Sequence, residues 1–174
     1  VGAVAAGLHA LTHGSPFYLR QLIATLHREG VIRFEAARMR FEWDDAAVAA
    51  RGYSDNVVEF MVHALAELPD EARALLSVAS IVGTRFQLST VAALANVDVD
   101  AVDAGLELPR SRRFVAPDSD DEDGYRFTHD RVQEAAYALI PREQRSELHR
   151  KAARMLMSSD LPDARVFEAI RHFD

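Results

Sequence analysis

The chain has 174 residues, 49% hydrophobic and 27% charged, enough for one or two small domains with a real core. It has no cysteine, which excludes disulfides and thiolate metal sites and is compatible with a reducing compartment. A net charge of -7 sets up an overall field that opposes approach to phosphates, although a local basic patch can still bind nucleic acid. No apolar run approaches the roughly 20 residues that a membrane-spanning helix needs. The opening VGAVAAGLHALTHG lacks the basic flank of a signal peptide and starts with Val, which points to a piece excised from a larger protein.

HGSPFYLRQLIATLHREG predicts a helix punctuated at both ends. Ser15 is placed to cap it, Pro16 fits the first helical position, and Gly30 can end it in a left-handed conformation. Leu19, Leu22, Ile23 and Leu26 define its apolar face. Val31 to Phe34 and Met39 to Trp43 each alternate and predict a β-hairpin joined by Glu35 to Arg38, with Phe41 and Trp43 as hairpin core. Residues 44 to 55 read as a short helical turn and a linker.

Helical spacing returns at Asn56 with Val58, Met61, Val62 and Leu65. Pro69 starts a second helix, with Ala72, Leu75, Leu76 and Ala79 inward, which stops at Gly83. Ser89 is placed to cap a short helix closed by Asn96. Asp98 caps another, with Val102 and Leu106 inward, ended by Pro109. Phe114 to Ala116 and Tyr125 to Phe127 read as strands flanking an acidic loop. A helix over 130–140 follows, with Val132, Ala135, Ala136 and Leu139 on one face. Pro141 opens another, carrying Leu148, Ala152, Met155 and Leu156. A last helix carries Val166, Phe167, Ile170 and Phe173. The resulting expectation is a mainly α chain. A helical lid segment with a small hairpin occupies 1–55, and a winged helix of three helices and a two-stranded wing lies within 56–140. A helical extension begins over 141–174.

Little in this pattern supplies catalysis. None of the eight glycines precedes a Lys-Ser or Lys-Thr pair at the spacing of a phosphate-binding loop, and FEWDD at 41–45 is spoiled as a magnesium strand by Glu42. The chain alone is therefore not expected to be an enzyme. His9 and His13 share a helical face but lack a third metal ligand. The loop SDDEDGYRFTHD echoes a calcium loop, yet its second half reads as strand, and a solvated, self-repelling tip is the better reading.

A winged helix raises DNA binding. The recognition position, DVDAVDAGLEL, carries four acids and no base, and the wing tip adds five more acids, so both surfaces oppose phosphates. Arg110, Arg112 and Arg113 either meet DNA or, more often in such clusters, face water or pair with nearby acids. His129, at a strand-to-helix junction, either knits the two elements together or reaches for a ligand.

Two further motifs bear on that choice. HGSPFYLRQL at 13–22 resembles the GNPF segment opening the helical lid of STAND-class signalling ATPases, an AAA-related switch family. FTHDRVQEAAYALIP at 127–141 resembles their FxHDxxxxAAYxLIP signature. SDNVVEFM at 54–61 and LPDEARALLSVASIVGTRFQLSTVAALA at 68–95 are also similar, so the resemblance runs from about 1 to 160. Such ATPases occur in large bacterial proteins with serine/threonine kinase, cyclase or sensor histidine kinase domains. The resemblance implies ATP or ADP in the full-length parent, with no cofactor held by this fragment alone. It implies an upstream nucleotide-binding domain as partner, other protein domains as further partners, and a cytoplasmic location. Gly14 and Pro16 would lie near the adenine, and His129 would reach the β-phosphate of ADP. Asp130 would cap the following helix. Ser15 stands where the family usually has Asn, and LELPRSRRFV stands where relatives end a more apolar helix in Glu-Gly-Leu. The leading expectation is a non-catalytic, nucleotide-state regulatory portion of a signalling ATPase. The alternatives are a DNA-binding winged-helix regulator and a helical protein-interaction module.

Overall fold

A computed structural model of the chain describes residues 8, 9, 12, 14–44, 47, 57–121 and 123–158, without the side chains of 40, 43 and 156–158. The chain is mainly helical with small antiparallel sheets, and it divides into two compact units, Val1–Ala64 and Leu65–Asp174. The expected linker at 45–55, the last helix at 166–173 and the His13 half of the histidine pair lie outside the described residues, residue 47 apart.

In the first unit, α1 (Pro16–Arg28) starts as its sequence predicts. Ser15 Oγ accepts the Tyr18 N–H at 3.4 Å, and Pro16 occupies the first turn, where its missing N–H leaves no bond unmade. Gly30 closes the helix at φ 70°, with Val31 N–H bonded back to Leu26 O at 2.8 Å. The buried face is rotated from the expected one. Tyr18, Gln21, Leu22, Thr25 and Leu26 are buried, while Ile23 is 39% exposed. The reason is Tyr18, whose ring packs against Phe60 at 4.9 Å and draws the helix round by about one residue. A spacing rule that counts only aliphatic residues does not see this.

β1 (Ile32–Glu35) pairs antiparallel with β2 (Arg40–Trp43). The connection is a 3₁₀ turn, Ala36–Arg38, followed by Met39 at φ 49°. Glu35 belongs to the strand, opposite Arg40. Phe41 is not core. Phe34 and Phe41 face each other edge-to-face at 5.2 Å, yet they are 49% and 66% exposed. Ile32, at the inner end of that face, is buried.

In chain order α2 (Val57–Ala66) precedes the second unit's α3 (Asp70–Val82), β3 (Arg85–Gln87), α4 (Leu88–Ala95) and α5 (Val99–Ser111). Then come β4 (Val115–Pro117), β5 (Gly124–Phe127), α6 (Asp130–Ala138) and α7 (Arg142–Ser158). α3 packs on α4, α5 and α6 through Ala72, Leu75, Leu76 and Ala79, the four residues expected inward. Helices α3 and α5 approach so closely at Gly105 that a Cβ there would lie 2.4 Å from Leu75 Cδ1.

The sheet has three strands in the order β3-β5-β4, not the expected two. β3 escapes notice because it carries one inward residue, Phe86, between Arg85 and Gln87, too short a run for alternation to register. Because β3 runs straight into α4, the cap position falls on Gln87 rather than Ser89. Pro109 does not end α5, which continues to Ser111. The proline costs the one bond that an N–H there would make to the preceding turn, and the helix still closes on a full left-handed motif. Arg113 sits at φ 59° and its N–H reaches Arg110 O at 2.9 Å, while Phe114 N–H bonds Pro109 O at 2.9 Å.

α7 lies against α3 and α4 around a cluster of Ile81, Leu94, Ile140 and Ala152. Ile140 rather than Leu139 is the buried residue closing α6. Tyr137 on α6 hydrogen-bonds His149 on α7 at 3.0 Å, with the Arg145 guanidinium 4.8 Å from the Tyr137 ring centre. Burial, and then the Arg145 charge, push the His149 imidazole below its ordinary pKa.

Candidate functional site

The strand-to-helix corner is built from contacts to two carbonyls and a shared carboxylate. Thr128 N–H bonds Phe114 O at 3.0 Å, and its hydroxyl donates to Arg113 O at 2.6 Å. This pins the end of β5 to the turn after α5. The next residue, His129, takes the N-cap position of α6. The Arg131 N–H is shared between His129 Nδ1 at 3.2 Å and Asp130 Oδ1 at 2.8 Å. The same carboxylate oxygen touches His129 Nδ1. The histidine therefore occupies the cap, where the aspartate was expected. Asp130 is the first helical residue, and its carboxylate takes the shorter branch of the same orphan N–H. A carboxylate there also faces the positive end of the helix dipole.

The His129 side chain is 38% exposed, so the ring is braced on its Nδ1 side without being sealed inside the fold. Arg131 is turned to Glu134 at 2.7 Å, and that hydrogen bond holds its guanidinium above its ordinary pKa.

Gly14 and Pro16 meet at the start of α1. Gly14 lies at φ 76°, and a Cβ there would stand 3.5 Å from His9 Nε2. Ser15 N–H closes the turn on Thr12 O at 2.9 Å, which leaves Pro16 exposed at the first position of the helix. Gly14 and Pro16 belong to the first unit and His129 to the second.

The three arginines at the end of α5, Arg110, Arg112 and Arg113, have separate engagements. Arg110 donates to Asp103 at 3.2 Å and to the Tyr125 hydroxyl, which itself donates to Asp103 at 3.0 Å. Burial, and then the Asp103 bond, raise the Tyr125 pKa. Arg112 lies 3.6 Å from Glu67. Arg113 contributes its carbonyl to Thr128.

The acidic tip also differs from its solvated reading. Arg85 on β3 lies 3.2 Å from Asp118 and 3.0 Å from Asp120, and Gln87 donates to Asp121 at 3.0 Å. The Arg85 hydrogen bond holds the Asp120 carboxyl below its usual range. These partners come from the strand that sequence alternation misses, so the tip's tethering was not legible either. Among the described residues no group of three His, Asp or Glu side chains is arranged to hold a metal ion. No helix among them is long and apolar enough to cross a membrane.

A stretch of 86 residues, 49% of the chain, is 34% identical to hybrid signal transduction histidine kinase G of Dictyostelium discoideum. The match spans 2% of that protein's length. No protein-family model matches the chain, and no solved structure matches it. The likeness puts a signal-transduction protein among the chain's relatives.

Proposed function

We propose that the chain is the non-catalytic, nucleotide-sensing portion of an ATP-dependent signalling protein of the STAND class. The observation that carries this reading is the His129 corner: a half-exposed imidazole at the N-cap of α6, whose Nδ1 accepts the Arg131 N–H. Such a ring offers Nε2 to an anion, at a helix end whose dipole favours negative charge. The region from α3 to β5 is read as a winged helix, with α4 and α5 as its helix-turn-helix and β4–β5 as the wing. The exposed Pro16 gives an apolar surface suited to a purine face.

In this reading an upstream domain of the same protein holds the nucleotide. His129 donates from Nε2 to the β-phosphate of ADP and fixes the winged helix over it. Exchange for ATP releases that contact. A few kcal/mol of differential contact is enough to move such a two-state element. The Dictyostelium relative is named for signal transduction, which agrees with a signalling parent.

The test is ADP affinity in the full-length parent, by calorimetry, with His129→Ala. A hydrogen bond to a charged group is worth about 1.5–3 kcal/mol, so ADP binding should weaken at least about tenfold, with raised basal output. Unchanged affinity together with unchanged output removes the phosphate role. The acidic α5 face and wing tip argue against a DNA regulator. Titration of duplex DNA at low and moderate salt should therefore show no tight, salt-sensitive binding.

A further inference from the structure

Residues 127–129 carry the chain out of β5, and they are held to two other segments. The Phe127 N–H reaches Thr84 O, in the connection between α3 and β3, at 2.9 Å, and the Thr128 N–H reaches Phe114 O at 3.0 Å. Both bonds use backbone alone, so any residue but proline could make them. The Thr128 hydroxyl adds a bond that depends on its side chain, to Arg113 O at 2.6 Å, with Phe114 O 3.3 Å away. A β-branched side chain has few rotamers, so the hydroxyl stays aimed at that turn. The turn closes α5, which a second tie also joins to β5, through Asp103, Arg110 and the Tyr125 hydroxyl. On the other side of His129, the Val132 N–H bonds His129 O at 3.0 Å, and α6 is seated in the core by Val132, Ala135 and Ala136. His129 itself is extended, at φ -158° and ψ 147°. The direction of its ring is therefore set by the backbone that Thr128 fixes.

We infer that Thr128 is the positioning residue of the His129 site, its hydroxyl fixing the backbone from which the imidazole projects and tying that imidazole to the end of α5. The inference rests on the reading of His129 as the phosphate contact. Thr128 acts only through its neighbour. Loss of the hydroxyl leaves β5 and α6 formed and lets the peptide between them turn. A displaced α5 pulls on Thr128 through Arg113 O, and the pull reaches the imidazole one residue further on. A change at α5 thereby governs how firmly ADP is kept.

Two measurements test this. The first is ADP affinity in the full-length parent, by calorimetry, in a cycle of Thr128→Val and His129→Ala. Thr128→Val keeps the shape and deletes the hydroxyl, and should weaken ADP binding about fivefold, less than His129→Ala does. Thr128→Ser keeps the hydroxyl and should stay within about twofold of wild type. In the His129→Ala background Thr128→Val should change affinity by less than about twofold, because the ring it positions is gone. The second measurement needs no nucleotide and follows the side-chain rotamer couplings of His129 in the 174-residue chain by NMR. One rotamer should dominate in wild type and in Thr128→Ser, and the couplings should average in Thr128→Val. The Phe127 amide should stay in place throughout, which shows that β5 persists. Unaltered couplings in Thr128→Val, no rescue by serine, or an equal loss of ADP affinity in the His129→Ala background each overturn the proposal. Unchanged ADP affinity in His129→Ala, with averaged couplings in Thr128→Val, removes the phosphate reading and leaves the positioning role standing.

Discussion

The two sheets are made of similar material and reach opposite ends. The β1–β2 hairpin and the β3-β5-β4 sheet are both antiparallel, short and lined with aromatic residues. In the hairpin Phe34 and Phe41 pair with each other and stay half in water. In the three-stranded sheet Phe86, Tyr125 and Phe127 are all buried. Strand length does not explain the contrast, since every strand has three or four residues. The difference is cover: the second sheet touches α3, α4, α5 and α6, whereas among the described side chains on the aromatic face of the hairpin only Ile32 is buried. An isolated aromatic pair gives about 0.5–1.5 kcal/mol, whereas burying a whole ring against helices gives more.

The largest test of this contrast truncates one ring in each sheet. Phe127→Ala should lower unfolding free energy by about 3–5 kcal/mol in urea melts, as expected for a core ring. Phe41→Ala should cost within about 1 kcal/mol, since its ring is mostly solvated. Equal losses would mean that the hairpin face is covered after all. Next is Gly124→Ala, which drives a methyl group into Asp121 and Asp118 and should destabilise the wing by about 1–3 kcal/mol. Hydrogen exchange at Asp118 to Tyr125 would report the damage locally.

A smaller effect of opposite sign is expected at the turn after α5. Arg113 holds a left-handed conformation that costs an ordinary residue about 1–2 kcal/mol. Arg113→Gly should therefore stabilise the second unit, by about 0.5–1 kcal/mol after the extra chain entropy of glycine is counted. A fall in stability would show that the arginine side chain carries more than its backbone costs.

The smallest effect is with pH. His149 has a folded pKa below its unfolded value, so between the two the unfolded chain binds more protons. The stabilising effect of the neutral ring is complete above the unfolded value of about 6.5 and is lost as pH falls below it. Melting temperature should drop between neutral and mildly acid buffer, and His149→Gln should flatten that slope. The hairpin should be indifferent.

Most helices were legible because their signals are local. Ser15, Pro16, Gly30, Gly83 and Asn96 all stand at the helix ends their chemistry predicts. The failures share a cause, since each depends on a residue distant in sequence. Tyr18 rotates α1 toward Phe60, β3 exists because β5 lies beside it, and Arg85 tethers a tip some 35 positions away. At the candidate site, the junction position of His129 was readable. Its capping role was not, because imidazole and carboxylate compete for the same N–H and only geometry decides between them.

The order β3-β5-β4 gives β5 a hydrogen-bonded neighbour on each side, while β1 and β2 each have one. Amides locked on both flanks surrender their protons only when the surrounding fold opens as a whole, so β5 should be among the slowest segments to exchange in deuterated water. The outer edges of the hairpin, bonded to no third strand among the described residues, should exchange by local fraying. A single labelling time course would then show two clocks in one small chain, the slower of them in the strand that leads into His129.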